Sequence, residues 1–422
     1  MTSMTLISSI SARAAAATLA TALCVSVASA DLSDTDQISP CLASHLSPIG
    51  QAACAEIAGA GDVSDASYYN HFPSDWLLLL EPGGAVSPVN AYYGELASML
   101  AETWSTMEIA TLKLSGDKSI LAEGLLKLHG SRASEKADAP KPLVRLLVGS
   151  GEVDVENALE AITRHLPADR DAWNVDVVVA RIGREPLYFW NHAKMAVRDR
   201  FEAVTGSVEL HGETELAMKV SCHAARDARD FFDAVWETYP ERSSVTRACA
   251  SNREDLCTET CFEQECWSSG RPSPPSAWCG VQEAPVLSLG RGNFIDGGGL
   301  ELDLSADRAI YAALDSAHHD LFLMQRSLIF KPLHVDRLFD SLANAAIRGV
   351  DVRITVGPDA GWLGYFPAPE VVWDRLVDHM DDEFRAQGLS REQRRQAHRR
   401  VRLAEYNAHV KYFSVDDQAF YV

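Results

Sequence analysis

Several familiar catalytic signatures are missing from this chain, and each absence narrows what it can do. There is no HExxH metalloprotease motif, no Walker phosphate loop and no GxSxG nucleophile elbow. Positive charge is scarce: 38 lysines and arginines face 59 acidic residues, a formal net charge of −21. So acidic a chain is a poor general binder of polyanions, and a phosphate-bearing substrate must be met by a local cluster of cations. Beyond the first 30 residues no apolar run has the length of a membrane span, and Trp76 to Leu80 is far too short. No Asn-X-Ser/Thr sequon occurs, so N-glycosylation is not expected. What remains is 422 residues with 47% hydrophobic content, enough to bury a large core in one big domain or two packed halves.

At the N-terminus Arg13 precedes an apolar run from Ala14 to Ala28, closed by Ala28-Ser29-Ala30 before the acidic Asp31. A charged start, an apolar centre and a small-residue site predict a secretory signal at residues 1–30, cleaved after Ala30. An uncleaved signal anchor is the alternative. Of nine cysteines, Cys24 leaves with the signal, so 9 − 1 = 8 stay in the mature chain. An even count in an exported protein implies disulfides. Cys41 and Cys54 can close a local loop, while Cys222, Cys249, Cys257, Cys261, Cys266 and Cys279 crowd together. A zinc site is the rival reading of that crowd, but its spacings lack paired CxxC arms.

The chain repeats itself. NHAKMAVRD places His192, Lys194 and Asp199 in an HxKxxxxD pattern, and NAHVKYFSVDD places His409, Lys411 and Asp416 in the same pattern 409 − 192 = 217 positions on. The flanks repeat too. LVRLLVGSG and DVRITVGPD are apolar runs closed by glycine, the mark of a buried strand meeting a turn. MEIATLKLSG and HDLFLMQRSL read as earlier strands, each preceded by a helical stretch. VDVVVARI and VRLAEY read as the strands just before each trio, and HVDRLFDSLANAAIRG as a helix with a closing glycine. Alternation of this kind predicts an α/β layered fold. The divisions are an N-terminal extension with a first half (31–240), a Cys/Pro-rich insertion pinned by disulfides (241–289) and a second half (290–422). SREQRRQAHRRVR reads as an exposed basic helix leading into the last strand, and the aromatic run Gly361 to Trp373 as packing or as a ligand-lining segment. His211, His223, His318, His319, His334, His379 and His398 lie outside the pattern and are expected to be satisfied structural residues.

The spacing has a chemical logic. Residues two apart in a strand share a face, so each His projects beside its Lys. Two such strands meeting about a pseudo-twofold axis bring two imidazoles and two ammonium groups into one pocket, which suits a phosphodiester. The lysines neutralise phosphate oxygens, one imidazole attacks phosphorus, and the other protonates the leaving alcohol and then activates water. A carboxylate against each imidazole would fix its tautomer, the task expected of Asp199 and Asp416. Neither a metal nor a cofactor is required.

With Gly206-Ser207 following Asp199 after six residues, the first copy resembles the extended motif of the phospholipase D superfamily. SPPSAWCG, VRLLVG and FFDAVWETYP further resemble the endolysosomal phospholipase-D-like 5′-exonuclease branch. The resemblance implies a bilobed fold of two homologous α/β sandwich halves around one active site. It implies a phosphohistidine intermediate, with His192 as nucleophile, His409 as acid/base, and Gly206 and Ser207 at the substrate. Two departures stand out. Glu209 occupies the position where the family usually has Asn, and the second Gly-Ser would fall at residues 423 and 424, so the second half is read as incomplete. The expected activity is that of a secreted or endolysosomal phosphodiesterase acting on a phospholipid headgroup, with possible peripheral contact to a membrane surface. A nuclease of the same fold and a catalytically weakened binding protein are the alternatives. Hydrolysis against transphosphatidylation, and the oligomeric state, stay open.

Overall fold

The computed structural model describes residues 46–57, 65–67, 77–80, 86–136, 139–149, 154–182, 193–208, 214–242, 245–250, 286–288, 305–328, 336–358, 367–407 and 409–421. Pro40–Val422 form one compact unit, which holds everything below; a second unit, Met1–Ser39, lies outside the described residues together with the expected signal and its cleavage site. His192, Glu209 and most of the Cys-rich bridge also lie outside them.

The described chain opens with α1 (Pro48–Ile57), β1 (Asp65–Ser67) and β2 (Leu77–Leu80). The first half follows as α2 (Pro88–Glu102), β3 (Thr106–Thr111), α3 (Lys118–Ser131), β4 (Leu143–Val148), α4 (Val155–Thr163) and β5 (Asp176–Ile182). Then β6 (Met195–Arg198), β7 (Glu202–Gly206) and β8 (Glu215–Ser221) lead into the long α5 (His223–Arg242) and β9 (Val245–Ala250). After β10 (Val286–Ser288) the pattern restarts with α6 (Ser305–Asp315), β11 (Asp320–Gln325), α7 (Asp336–Arg348), β12 (Asp351–Val356), α8 (Pro369–Ala386), α9 (Arg391–Arg400) and β13 (Val401–Glu405). It closes with β14 (Tyr412–Val415) and β15 (Ala419–Tyr421).

The two main sheets repeat strand for strand. In the first, β3, β4 and β5 run parallel, and β6 lies antiparallel on the other side of β3 with β7 beside it. In the second, β11, β12 and β13 run parallel, β14 lies antiparallel beside β11, and β15 follows. Even the turns match. The N–H of Gly149 donates to the carbonyl of Thr111, and that of Gly357 to the carbonyl of Gln325. The protein is an α/β chain of two repeated halves.

Local sequence explains the elements. Ser87 caps α2 with Pro88 in its first turn, Asp117 caps α3 and Asp154 caps α4, each side chain accepting from backbone N–H groups the helix leaves orphaned. Ser390 and Gln393 form a reciprocal capping box on the basic α9, so a helix of strongly polar composition still starts cleanly. Gly349 ends α7 at φ +99°, a conformation that costs glycine little. Every residue of β4 is buried because helices cover both faces of the first sheet. Along β12 buried residues alternate with less buried ones, and the buried set, Val352, Ile354 and Val356, packs into the core of the second half.

Some boundaries differ from the sequence reading. Val245–Ala250, assigned above to the insertion, forms β9 and pairs antiparallel with β5, so its backbone groups complete the first sheet. Helix α1, assigned to the extension before the first half, buries Ile49, Ala53 and Ile57 in the core of the second half beside Ala309 and Ala313. His379 and His398 are half-buried and meet Asp340 and Asp381 at 2.6 and 2.8 Å.

A charged cluster lies beneath α5. Arg145 on β4 reaches Asp233 at 2.6 Å and Glu108 at 3.3 Å, and Arg229 bridges the same two carboxylates at 2.8 Å each. The Arg145 guanidinium also lies over the rings of Phe232 and Trp236, at 4.9 and 5.3 Å from their centroids. Burial pushes the Glu108 carboxyl up, while burial beside Arg229 pulls the Arg145 guanidinium down. The two arginines and two carboxylates neutralise one another in a buried layer.

Candidate active site at the junction of the halves

Each HxKxxxxD segment ends in a hairpin turn of its own sheet. Asp199 and Asp416 sit at φ 55° and 52°, each followed by a second left-handed residue, Arg200 or Asp417. Aspartate tolerates that region better than most residues. From this turn the Asp199 carboxylate accepts from the backbone N–H of Trp104, Ser105 and Thr106 at 2.8, 2.6 and 3.0 Å, and from the Ser105 hydroxyl. The Asp416 carboxylate accepts from the N–H of His318, His319 and Asp320 at 2.7, 2.7 and 2.9 Å. The expectation that an aspartate orients its imidazole does not match the geometry of Asp416, whose carboxylate is taken up by backbone N–H groups and not by His409; the imidazole expected beside Asp199 lies outside the described residues. Each fastens the hairpin to the start of the half's first strand, as a capping residue does, because a one-carbon side chain on a left-handed turn reaches the neighbouring backbone.

Burial pushes the Asp416 carboxyl up, but the N–H groups of Asp320, His318 and His319 outweigh it and hold it below the usual carboxylate range. Its stabilising effect is therefore complete above pH about 4 and is lost as pH falls through the lowered folded value. Asp416→Asn keeps the turn conformation but removes the charge. It is expected to cost on the order of 1 kcal/mol at pH 7 and to flatten the acid limb of a melting-temperature profile. An unchanged acid limb would remove Asp416 from this role.

His409 is a second-half residue held by the first half. Its N–H donates to the carbonyl of Thr214 at 2.9 Å, and the N–H of Thr214 donates to the carbonyl of Asn407 at 3.0 Å. This short antiparallel bridge sews the segment before β14 to the segment before β8. The ring Nδ1 lies 3.0 Å from the Ser207 carbonyl and 3.2 Å from a carboxylate oxygen of Glu215. A carbonyl oxygen only accepts, so Nδ1 carries a proton and Nε2 is the nitrogen left to exchange one. Lys411 Nζ lies 3.1 Å from Nε2 and also donates to the His409 carbonyl at 3.1 Å. Both His409 and Lys411 precede β14 rather than lying within it, yet the extended segment still puts the two side chains together.

Gly206 and Ser207 have work inside the sheet. A Cβ on Gly206 would come within 2.3 Å of the Leu216 carbonyl oxygen and 2.6 Å of the Ala217 Cα, so only glycine fits against β8. Ser207 is buried; its hydroxyl donates to Glu215 at 2.7 Å and accepts from the N–H of Leu216 at 3.1 Å. The pair expected at the substrate therefore builds the carboxylate's seat. Lys194 stands one residue before β6, the counterpart of Lys411 before β14, and is buried. His192, its motif partner, lies outside the described residues.

Glu215 escaped the sequence reading. Its side chain is wholly buried, opposite a histidine 409 − 215 = 194 residues away. One local signal existed: it is a lone carboxylate heading the otherwise largely apolar strand Glu215–Ser221, eight residues after Ser207.

No protein-family model matches the chain, and no curated protein matches it. Among solved structures it is similar to a phosphatidylserine synthase from Haemophilus influenzae Rd KW20, at 13% identity and TM-score 0.45 over 83% of this chain and 78% of that one. It is similar to NucT from Helicobacter pylori at 14% identity and TM-score 0.28, over 42% of this chain and 98% of that one. It is also similar to a polyphosphate kinase from Porphyromonas gingivalis at 12% identity and TM-score 0.35, over 83% of this chain and 44% of that one.

Proposed function

We propose that this protein is a secreted phosphodiesterase of the phospholipase D type, hydrolysing a phospholipid headgroup ester through a phosphohistidine. The observation that carries the reading is His409, whose Nδ1 is tied to Ser207 and Glu215 across the junction while Nε2 stands free of backbone beside the Lys411 ammonium. A second HxKxxxxD segment, with Lys194 in the equivalent place, supplies the other half of the chemistry.

In the proposed cycle the Nε2 lone pair of His192 attacks phosphorus while the His409 imidazolium gives its Nε2 proton to the departing headgroup oxygen. The P–O bond breaks as the P–N bond forms. His409, now neutral, takes a proton from water; the oxygen of that water attacks phosphorus, the P–N bond breaks, and the acid product leaves. Lys194 and Lys411 offset the charge on the phosphoryl oxygens. Glu215 holds the Nδ1–H tautomer and stabilises His409 when it is protonated. Glu215→Gln should lower kcat on the order of 100-fold, less than loss of the imidazole itself, with KM nearly unchanged. Equal losses in kcat and in melting temperature would make Glu215 structural only.

Export and cross-linking belong to the same proposal. The N-terminal segment has the order of a cleaved signal, and Cys54 and Cys222 are buried cysteines of disulfide type. A lipid substrate would bring the protein to a membrane surface peripherally; among the described residues no helix is long and apolar enough to cross one. The deciding assay gives the secreted protein phosphatidylcholine in one arm and 5′-hydroxyl single-stranded DNA in the other. Choline release supports the reading, nucleotide release replaces it with the nuclease, and silence in both arms points to a binding protein. The net charge of −21 weighs against nucleic acid as the ligand.

A further inference from the structure

The repeat sets a polar residue opposite each motif lysine. In the first half β3 and β6 are paired up to Ala110 and Met195, and one step further the register brings Thr111 opposite Lys194. In the second half β11 and β14 are paired up to Met324 and Tyr412, and the same step brings Gln325 opposite Lys411. Directly opposite residues share a face and stand about 5 Å apart at Cβ. Alternation identifies that face: Leu323 and Phe413, two residues into each strand, are a cross-strand pair buried in the core of the second half. His409, two residues before Lys411 in the extended segment, continues the same row.

The backbone of Gln325 is fixed. It is the last residue of β11, pairs with Val356 of β12, and its carbonyl accepts from the N–H of Gly357 at 3.2 Å. Its side chain is half-buried and, among the described residues, makes no hydrogen bond. A glutamine amide carries two N–H donors and an acceptor, so a partly desolvated and unused one on a rigid strand end is set to receive a ligand. Its counterpart differs, since the Thr111 hydroxyl donates to the Lys113 carbonyl at 3.1 Å. Of the two, Gln325 alone keeps its donors free.

We propose that Gln325 is a substrate-binding residue, its Nε2–H donating to a non-bridging phosphoryl oxygen that Lys411 also contacts. The inference rests on the phosphodiesterase reading of the site and deepens it. Lys411 brings a point charge on a flexible stem, whereas the planar amide brings a directed donor on a fixed backbone. Together they hold the phosphoryl group in one orientation against His409. The neutrality of the amide matters, because a carboxylate in its place would repel the charge of the substrate.

The test titrates inorganic phosphate into the full chain by calorimetry, a readout that needs no turnover. Gln325→Met keeps the length of the side chain and removes both donors; it is expected to weaken phosphate binding about tenfold or more, and Gln325→Glu about tenfold further. Both variants should keep the wild-type melting temperature, since the amide bonds nothing within the protein. Lys411→Met should weaken binding of the same phosphate, which ties the probe to this site. On the substrate that the two-arm assay selects, Gln325→Met should lower kcat/KM by a factor similar to its loss of phosphate affinity. Wild-type phosphate affinity in Gln325→Met overturns the proposal, as does a wild-type chain that binds no phosphate, or binds it independently of Lys411. A weakening matched by a fall in melting temperature makes Gln325 structural and overturns it too. Gln325-dependent phosphate binding by a chain that turns over neither substrate would keep this assignment and sink the hydrolase, while unchanged kcat/KM in an active Gln325→Met chain would do the reverse.

Discussion

His409→Asn is expected to lower kcat for phosphodiester hydrolysis by about 10⁴-fold or more while leaving the fold intact. Asparagine retains a side-chain amide that can donate to the Ser207 carbonyl, so the junction keeps that hydrogen bond. It has no nitrogen lone pair able to take a proton, so neither leaving-group protonation nor water activation survives. The measurement is kcat on the substrate that the two-arm assay selects, with melting temperature as the control for folding. His192→Asn should produce a loss of the same order, because a covalent nucleophile and its acid/base partner act as one unit. Full turnover in either variant would sink the shared-site mechanism. If only the His192 variant accumulated no phosphoenzyme after an alkaline quench, which preserves the P–N bond, the assignment of nucleophile to that residue would stand.

Gly206→Ala is expected to destabilise the protein by about 3 kcal/mol and to reduce activity in the surviving folded fraction. The clash is with backbone, the Leu216 carbonyl at 2.3 Å and the Ala217 Cα at 2.6 Å, so no side-chain rotation relieves it. Strands β7 and β8 must part, and Ser207 and Glu215 move with them. Because the Glu215 carboxylate and the Ser207 carbonyl are both contacts of His409 Nδ1, a strain that begins in the sheet reaches the imidazole. Chemical denaturation would show the stability loss as a lower midpoint. A wild-type midpoint together with wild-type kcat would show that the strand pair tolerates the methyl group and that the close approach carries no weight.

Much of the architecture was readable from local pattern. Strands β4 and β12 were marked by apolar runs ending in glycine, and helix α7 by its apolar period and its closing Gly349. The repeat showed through two copies of one spacing, and the basic stretch before β13 is an exposed helix as its composition implied. The partner of His409 was not readable. Asp416 was the natural candidate by proximity in sequence, and it instead binds the N–H groups that open β11. The left-handed turn decides this, by aiming the carboxylate back along its own sheet.

By itself, then, the sequence determined the central strands and several helices of each half, that they come in two copies, and which histidines and lysines recur at strand starts. Those properties follow from side-chain periodicity and from single residues, Gly and capping Ser or Asp, whose preferences act over a few positions. Only the tertiary structure decided that Glu215 of the first half faces His409 of the second and that Gly206 and Ser207 build its seat. Contacts of that kind depend on how the segments leading into β8 and β14 meet, and a separation of 194 residues leaves no local trace of them.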